Sequence, residues 1–294
     1  MSTNIKLLDG GFGQAIINKG LDQIGTLWGC SAYLNEQDHQ KVIDTHLDFI
    51  NAGSKIITTS NFTIRKRRLA QNKLEDKLNV FLEISGKLAQ KAVKLSKKKI
   101  EIAGSLPTRG ETYKSDIFLS DKELLREFQE SASILNPYVD LFYLDVLCSY
   151  KEIELALESI KNFDKDVIVG IHLKDTGKLP SGENILGLKK ILSNYKIRAV
   201  IGGCISPEIY QKVSAELKQL NYEYGFKINA FENIPDDWSI TPNANPNLSL
   251  GKRTDLDPDV FVDFCKKAIS EGASFVGGCC EINHHHIQAL SNEL

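Results

Sequence analysis

Eight times along its 294 residues the chain alternates a short, largely apolar run with a longer stretch of helical periodicity. The runs are Lys6–Leu8, Lys55–Thr58, Ile100–Ala103, Leu141–Leu144, Val167–Ile171, Arg198–Ile201, Phe226–Asn229 and Ser274–Val276. Most are apolar at consecutive rather than alternate positions, which suits parallel strands buried on both faces. Parallel neighbours need a crossover. Helical patterns around 38–52, 74–97, 121–136, 150–162, 184–194, 207–219, 259–271 and 284–292 supply one after each run. Ser120 followed by Glu123 reads as a capping box, and Pro207 and Pro258 suit first helical turns. Eight such units with no Gly/Ser-rich or Pro-rich linker predict an α/β fold, a (β/α)8 barrel in one domain. An open doubly wound sheet is the competitor, and eight units favour closure. The longest irregular segment, Asn233–Asp257, is rich in Pro, Asn and Asp and is expected to act as a lid or binding element.

A formal net charge of -2 argues against nucleic acid as the main partner. The basic stretch Lys87–Lys99 carries apolar residues at helical spacing, so its lysines are read as a solvated face and last turn. Six scattered cysteines do not make a disulfide scaffold. Met1 to Lys6 holds no apolar signal core, and no stretch is long enough to span a bilayer. These features predict a reducing, cytoplasmic setting with no membrane partner, and leave a homo-oligomer possible.

Active sites of such barrels gather at the carboxyl ends of the strands. Cys204 ends the run Ala199–Gly203, and Cys279 and Cys280 follow Gly277-Gly278 after the last strand run. Adjacent cysteines rarely bond to each other, but both can face one soft ion where preceding glycines let the backbone bend. Two thiolates from one turn and a third from a distant one make a three-cysteine zinc site. Its fourth position is open, as in catalytic rather than structural sites. Buried cysteines packed as small hydrophobes are the alternative, and that is how Cys30, Cys148 and Cys265 are read. His284-His285-His286 fan out by about 100° per residue on a helix and are read as the start of the last helix, not as ligands. His172, at a strand end, is a substrate or supporting residue, or equally a structural one. Asp145 either binds a substrate ammonium or caps the next helix, and its rim position favours the former. Asp9 invites the same choice, with Gly10 and Gly11 permitting close approach to a ligand. Trp28, Phe62, Tyr113 and Trp238 are loop aromatics that either pack the core or hold a methylated sulfonium or ammonium ion by cation–π attraction.

Over essentially its whole length the chain resembles the zinc-dependent homocysteine S-methyltransferases. Leu8-Asp9-Gly10-Gly11-Phe12-Gly13 is similar to the family's opening motif, Leu27-Trp28 to its Leu-Trp segment, Ala52–Asn61 to its second-strand motif and Ala103–Pro107 to its third. Ile201-Gly202-Gly203-Cys204 loosely matches the first zinc motif, and Gly277-Gly278-Cys279-Cys280 matches the second in full. The resemblance implies one homocysteine-binding barrel over residues 1–294 in which Cys204, Cys279 and Cys280 hold zinc. The homocysteine amino group then meets Asp145 near Asp9 and Gly10, and Gly11, Trp28, Ser60, Asn61, Phe62 and Ser105 belong to the substrate pocket. It implies methyl transfer from a sulfonium or ammonium donor to the homocysteine thiol, giving methionine, with no covalent intermediate on the enzyme. S-methylmethionine is the favoured donor. The betaine-using branch is less similar, having an aromatic where Thr63 stands, and methyl-folate donors accompany further domains. The chain departs from the family at Asp145, where Glu is usual, at Ile201 and Gly203, where Gly and Asn are usual, and at Glu281, where Arg is common. These departures keep open another thiol or selenol acceptor, betaine or dimethylsulfoniopropionate as donor, and a non-catalytic zinc or redox-sensing barrel.

Overall fold

Strand β1 (Lys6–Leu7) lies parallel to β8 (Phe275–Gly278), and the sheet continues through β7 (Glu223–Ile228), β6 (Ile197–Ile205), β5 (Val167–Ile171), β4 (Leu141–Leu147) and β3 (Glu101–Pro107) to β2 (Ile56–Thr58). Its two edges meet: Leu8 bridges Ile56, and the Lys55 N–H donates to Leu7 O at 2.7 Å. This closed, all-parallel arrangement is the (β/α)8 barrel expected from the sequence. The computed structural model describes residues 5–294, so Met1 to Asn4 of the segment read for a signal core lie outside it.

The crossover helices are α2 (His39–Asn51), α4 (Leu78–Ser96), α5 (Asp121–Leu135), α6 (Tyr150–Ile160), α7 (Leu188–Leu192), α8 (Pro207–Gln219), α10 (Pro258–Ser270) and α11 (His284–Glu293). Each matches an expected pattern. Between them lie short helices the periodicity did not announce: α1 (Phe12–Ile17), α3 (Lys66–Gln71) and α9 (Pro246–Leu250). Ser120 caps α5 in a full capping box with Glu123, and Pro207 and Pro258 open α8 and α10. Lys87, Lys91 and Lys94 are exposed on α4 while Leu88, Ala89 and Ala92 are buried, although Leu95 is exposed too. Among the described residues no helix is long and apolar enough to cross a membrane.

The helices cover the sheet with one large apolar core, while Leu8, Ile56, Ala103, Leu141, Tyr143, Ile168, Ala199, Ile201 and Phe275 fill the barrel interior. Three strands run further toward the rim than expected. β3 extends to Pro107, β4 to Leu147 and β6 to Ile205, so Asp145 and Cys204 sit within strands rather than after them. Both extensions carry register shifts, between Leu144 and Leu147 and between Gly203 and Ile205. Such bulges re-aim side chains beside active sites.

Candidate metal centre

The bulge in β6 turns Cys204 to face the turn after β8. Its thiol lies 3.8 Å from that of Cys280, which is 3.9 Å from that of Cys279. Tetrahedral zinc with Zn–S bonds of ~2.3 Å places its sulfurs about 3.8 Å apart, so the three thiols already stand at the spacing the ion needs. All three lie within 4.8 Å of one another, and among the described residues no fourth His, Cys, Asp or Glu joins the group. Strand β7 lies between the two contributing strands, with Gly203 paired to Lys227 and Lys227 to Gly277. Burial works against a thiolate at Cys204, but hydrogen bonds from Cys279, Cys280 and Tyr113 outweigh it and hold its pKa well below the usual thiol range. Cys279 and Cys280 are pushed well above it, chiefly by those same thiol contacts with Cys204. One stabilised thiolate among donors is the start of a metal site.

The glycines around this turn act through missing volume. A Cβ on Gly278 would come within 2.2 Å of Ile282, and one on Gly11 within 2.6 Å of the Cys279 carbonyl. Neither has a positive φ, so the free bending expected before the double cysteine is replaced by close packing. Gly11 donates its N–H to Ile282 O at 2.8 Å, which docks the first turn of the chain against the cysteine turn.

The thiols open into a cavity of about 980 Å3 to its mouth, at the upper end of the ~300–1,000 Å3 usual for small-molecule sites. Phe12, Trp28, Phe62, Tyr113, Phe231 and Trp238 give it an aromatic lining. Trp238 belongs to the 233–257 segment, which covers the mouth with Ile240, Asn247 and Leu250. That segment is tied to the body at Gly25, whose N–H donates to Asn243 Oδ1 at 2.7 Å, at Lys114, which donates to Asp237 O at 2.8 Å, and at Glu281, which accepts from Asn247 Nδ2 at 2.6 Å.

Asp9, Gly10, Gly11, Trp28, Ser60, Phe62 and Asp145 line the cavity. Asn61 and Ser105 stand one layer behind: Asn61 donates to Ser105 O at 3.0 Å, and Ser105 Oγ donates to Asp145 Oδ2 at 2.8 Å. Asp145 does not cap the next helix, since Ser149 does. Burial pushes the Asp145 carboxyl up to about 6 despite the opposing Lys227 cation and Ser105 hydroxyl. His172 is buried, with Nδ1 3.3 Å from Gly203 O and its ring against Tyr113. Burial lowers its pKa, so it is a neutral support for the Cys204 bulge. His286 lies in the first turn of α11, contacting Asn283 Oδ1 at 3.0 Å and Leu256 O at 3.1 Å, far from any metal role. Cys148 and Cys265 are core residues, and Cys30, also buried, donates to Ser60 O at the cavity wall.

Several participants were not singled out for the site from the sequence. Asn229 donates to Cys204 O at 2.7 Å and stands 3.8 Å from its sulfur. Tyr113, expected only as a loop aromatic, places its hydroxyl 3.2 Å from that sulfur. Lys227 projects into the barrel and pairs with Asp9; a cation between Phe226 and Ile228 was its only signal. Trp28, Tyr113, Val146 and Cys204 all hold φ between 49° and 70°, a backbone cost of about 1–3 kcal/mol each that clusters where function lies.

Fold and site together define a class: a barrel enzyme whose carboxyl rim carries three thiols able to hold a metal. A profile of the homocysteine S-methyltransferase family matches residues 6–294, and the chain belongs to that family. It is 23% identical to homocysteine S-methyltransferase 3 of Arabidopsis thaliana, covering 98% of this chain and 89% of the relative. It is 24% identical to bovine (Bos taurus) betaine–homocysteine S-methyltransferase 1, covering 97% and 71%. In fold it is similar to the metallated Escherichia coli homocysteine methyltransferase MmuM, with a TM-score of 0.79 over 100% and 97% of the two chains at 19% identity.

Proposed function

We propose that this barrel, as a single homocysteine-binding domain over residues 1–294, moves a methyl group from a cationic donor to the thiol of homocysteine. The observation that carries this reading is the trio Cys204, Cys279 and Cys280, at zinc spacing on the wall of an aromatic cavity and with no fourth protein ligand among the described residues. Zinc held there would lower the pKa of an added thiol and keep it as the thiolate. The protein's own groups do the rest. Asp145 faces the substrate ammonium, the aromatic faces hold the donor's positive charge, and the apolar walls exclude water. The homocysteine sulfur forms its new S–C bond as the donor's C–S⁺ bond breaks and its electron pair returns to the donor sulfur; the thiol proton leaves to solvent. The products are methionine and the neutral demethylated donor. Alignment of the two substrates supplies much of the acceleration.

S-methylmethionine is the donor we favour, because the aromatic lining suits a sulfonium. Thr63, at the position where betaine users have an aromatic, donates its hydroxyl to Leu27 O at 2.6 Å and so serves the wall rather than a ligand. The test is methionine formation, followed by mass spectrometry, with zinc-loaded protein, homocysteine and S-methylmethionine, betaine or dimethylsulfoniopropionate in turn. Methionine from S-methylmethionine, absent with Cys279→Ser, is the expected result. Zinc-loaded protein that yields none from any donor sinks the proposal and returns weight to another acceptor or a non-catalytic zinc barrel.

A further inference from the structure

Lys227 is an unusual residue for the inside of a barrel, where branched apolar side chains normally fill the layers. It is 7% exposed. Its strand neighbours Phe226 and Ile228 are fully buried, and Phe226 packs on Tyr210 and Phe264 of the outer helices, so Lys227 points the other way, inward. Its Nζ donates to Asp9 and, at 3.4 Å, to Thr58 Oγ1, and it lies 5.9 Å from the Tyr143 ring centre. An ammonium has three donors, so one remains, and Lys227 lines the cavity.

Asp9, by contrast, is spent. Its Oδ2 accepts from the Thr58 N–H at 2.7 Å, and its Oδ1 from Lys227 and, at 3.3 Å, from the Thr58 hydroxyl. The cavity wall therefore offers Asp145 as its uncompensated anion. Among the described residues the other cation on the wall is Arg68, which is matched by Glu111 at 2.5 Å and Gln71 at 3.0 Å. Lys227 on β7 and Asp145 on β4 flank the thiols from opposite sides. An acceptor whose sulfur joins the three cysteines carries its α-carbon only two methylenes away, between these two charges.

We propose that Lys227 binds the α-carboxylate of the acceptor, opposite the ammonium at Asp145, so that the pocket selects a zwitterionic amino-acid thiol. This rests on the reading of homocysteine as acceptor. It assigns Lys227 a specificity role beyond neutralising Asp9, and it explains why a buried cation is kept beside a metal site.

The test is calorimetric binding of three thiols to zinc-loaded protein: homocysteine, γ-mercaptobutyrate (no amino group) and homocysteamine (no carboxylate). The variant is Asp9→Asn with Lys227→Met, which removes the buried pair together and leaves no unpaired charge. Folding is checked by circular dichroism and zinc content, and Lys227→Met alone serves if the double variant does not fold. Homocysteine and γ-mercaptobutyrate are expected to bind about tenfold or more weakly, as for the loss of a charged hydrogen bond, with homocysteamine unchanged. Equal losses for all three thiols, or no loss, overturn the proposal. Wild-type protein that shows this binding pattern yet transfers no methyl group refutes the reaction proposed above and leaves the role of Lys227 standing.

Discussion

Asp145 and Cys204 reach the cavity by the same device, a bulge that carries one residue in the left-handed region: Val146 beside Asp145, and Cys204 itself. A β-branched residue at positive φ is costly, and at Val146 that cost aims the carboxyl at the cavity. The carboxyl has a consequence in pH. Burial raises its pKa to about 6, against Lys227 and Ser105 on the other side, with Cys204 and Asp9 adding to the rise. The ammonium partner needs the ionised form, so homocysteine affinity should hold near and above neutrality and fall through pH 6, about tenfold per unit below it. Calorimetry across pH 5–8 checks this, and Asp145→Asn should give a weak, flat profile. The sign for stability is opposite. A folded pKa above the unfolded value of about 3.9 means that the folded state binds more protons between those limits, so this group favours the fold more as pH falls from 6 to 4.

At the level of elements, the 233–257 segment is held by a few polar contacts to three separate parts of the rim. Removing one should loosen the cover and spare the barrel. Asn243→Ala loses the contact with the Gly25 N–H. We expect a KM for homocysteine several-fold higher, faster limited proteolysis within 233–257, and a stability change within about 1 kcal/mol, as for other exposed hydrogen bonds. Unchanged proteolysis would show that the contact does not hold the cover. The central strands and eight long helices were legible in the sequence because parallel strands buried on both faces read as continuous apolar runs. Their ends were not. The rim extensions of β3, β4 and β6 are built from Gly104-Ser105, Asp145 and Gly202-Gly203-Cys204, which carry no apolar signal. Helix α3, Lys-Arg-Arg-Leu-Ala-Gln, is too short and charged to show a period. The cysteines were legible because two adjoin in the chain and all three end strand runs. The Asp9–Lys227 pair was hidden because 218 positions separate its members and a lysine ordinarily reads as solvated.

For the whole molecule, the metal-binding turn is an addition to a barrel that has its own core. Chelation should therefore abolish thiol binding and activity while far-UV circular dichroism at 25 °C stays unchanged. Loss of a tightly bound ion should lower Tm, on the order of 5–10 °C. Loss of secondary structure on chelation would instead make the metal part of the folding core. One further consequence comes from the place where the barrel closes. β1 and β2 meet through a single bridge and one neighbouring hydrogen bond, the thinnest joint in the sheet. Asp9 continues that joint, tying the Thr58 N–H of β2 to Lys227 of β7. The weakest joint of the cylinder is thus also part of the pocket wall. Amide deuterium uptake along Leu8–Thr58 becomes a gauge of occupancy: a guest held by Lys227 would quiet the breathing of the whole ring.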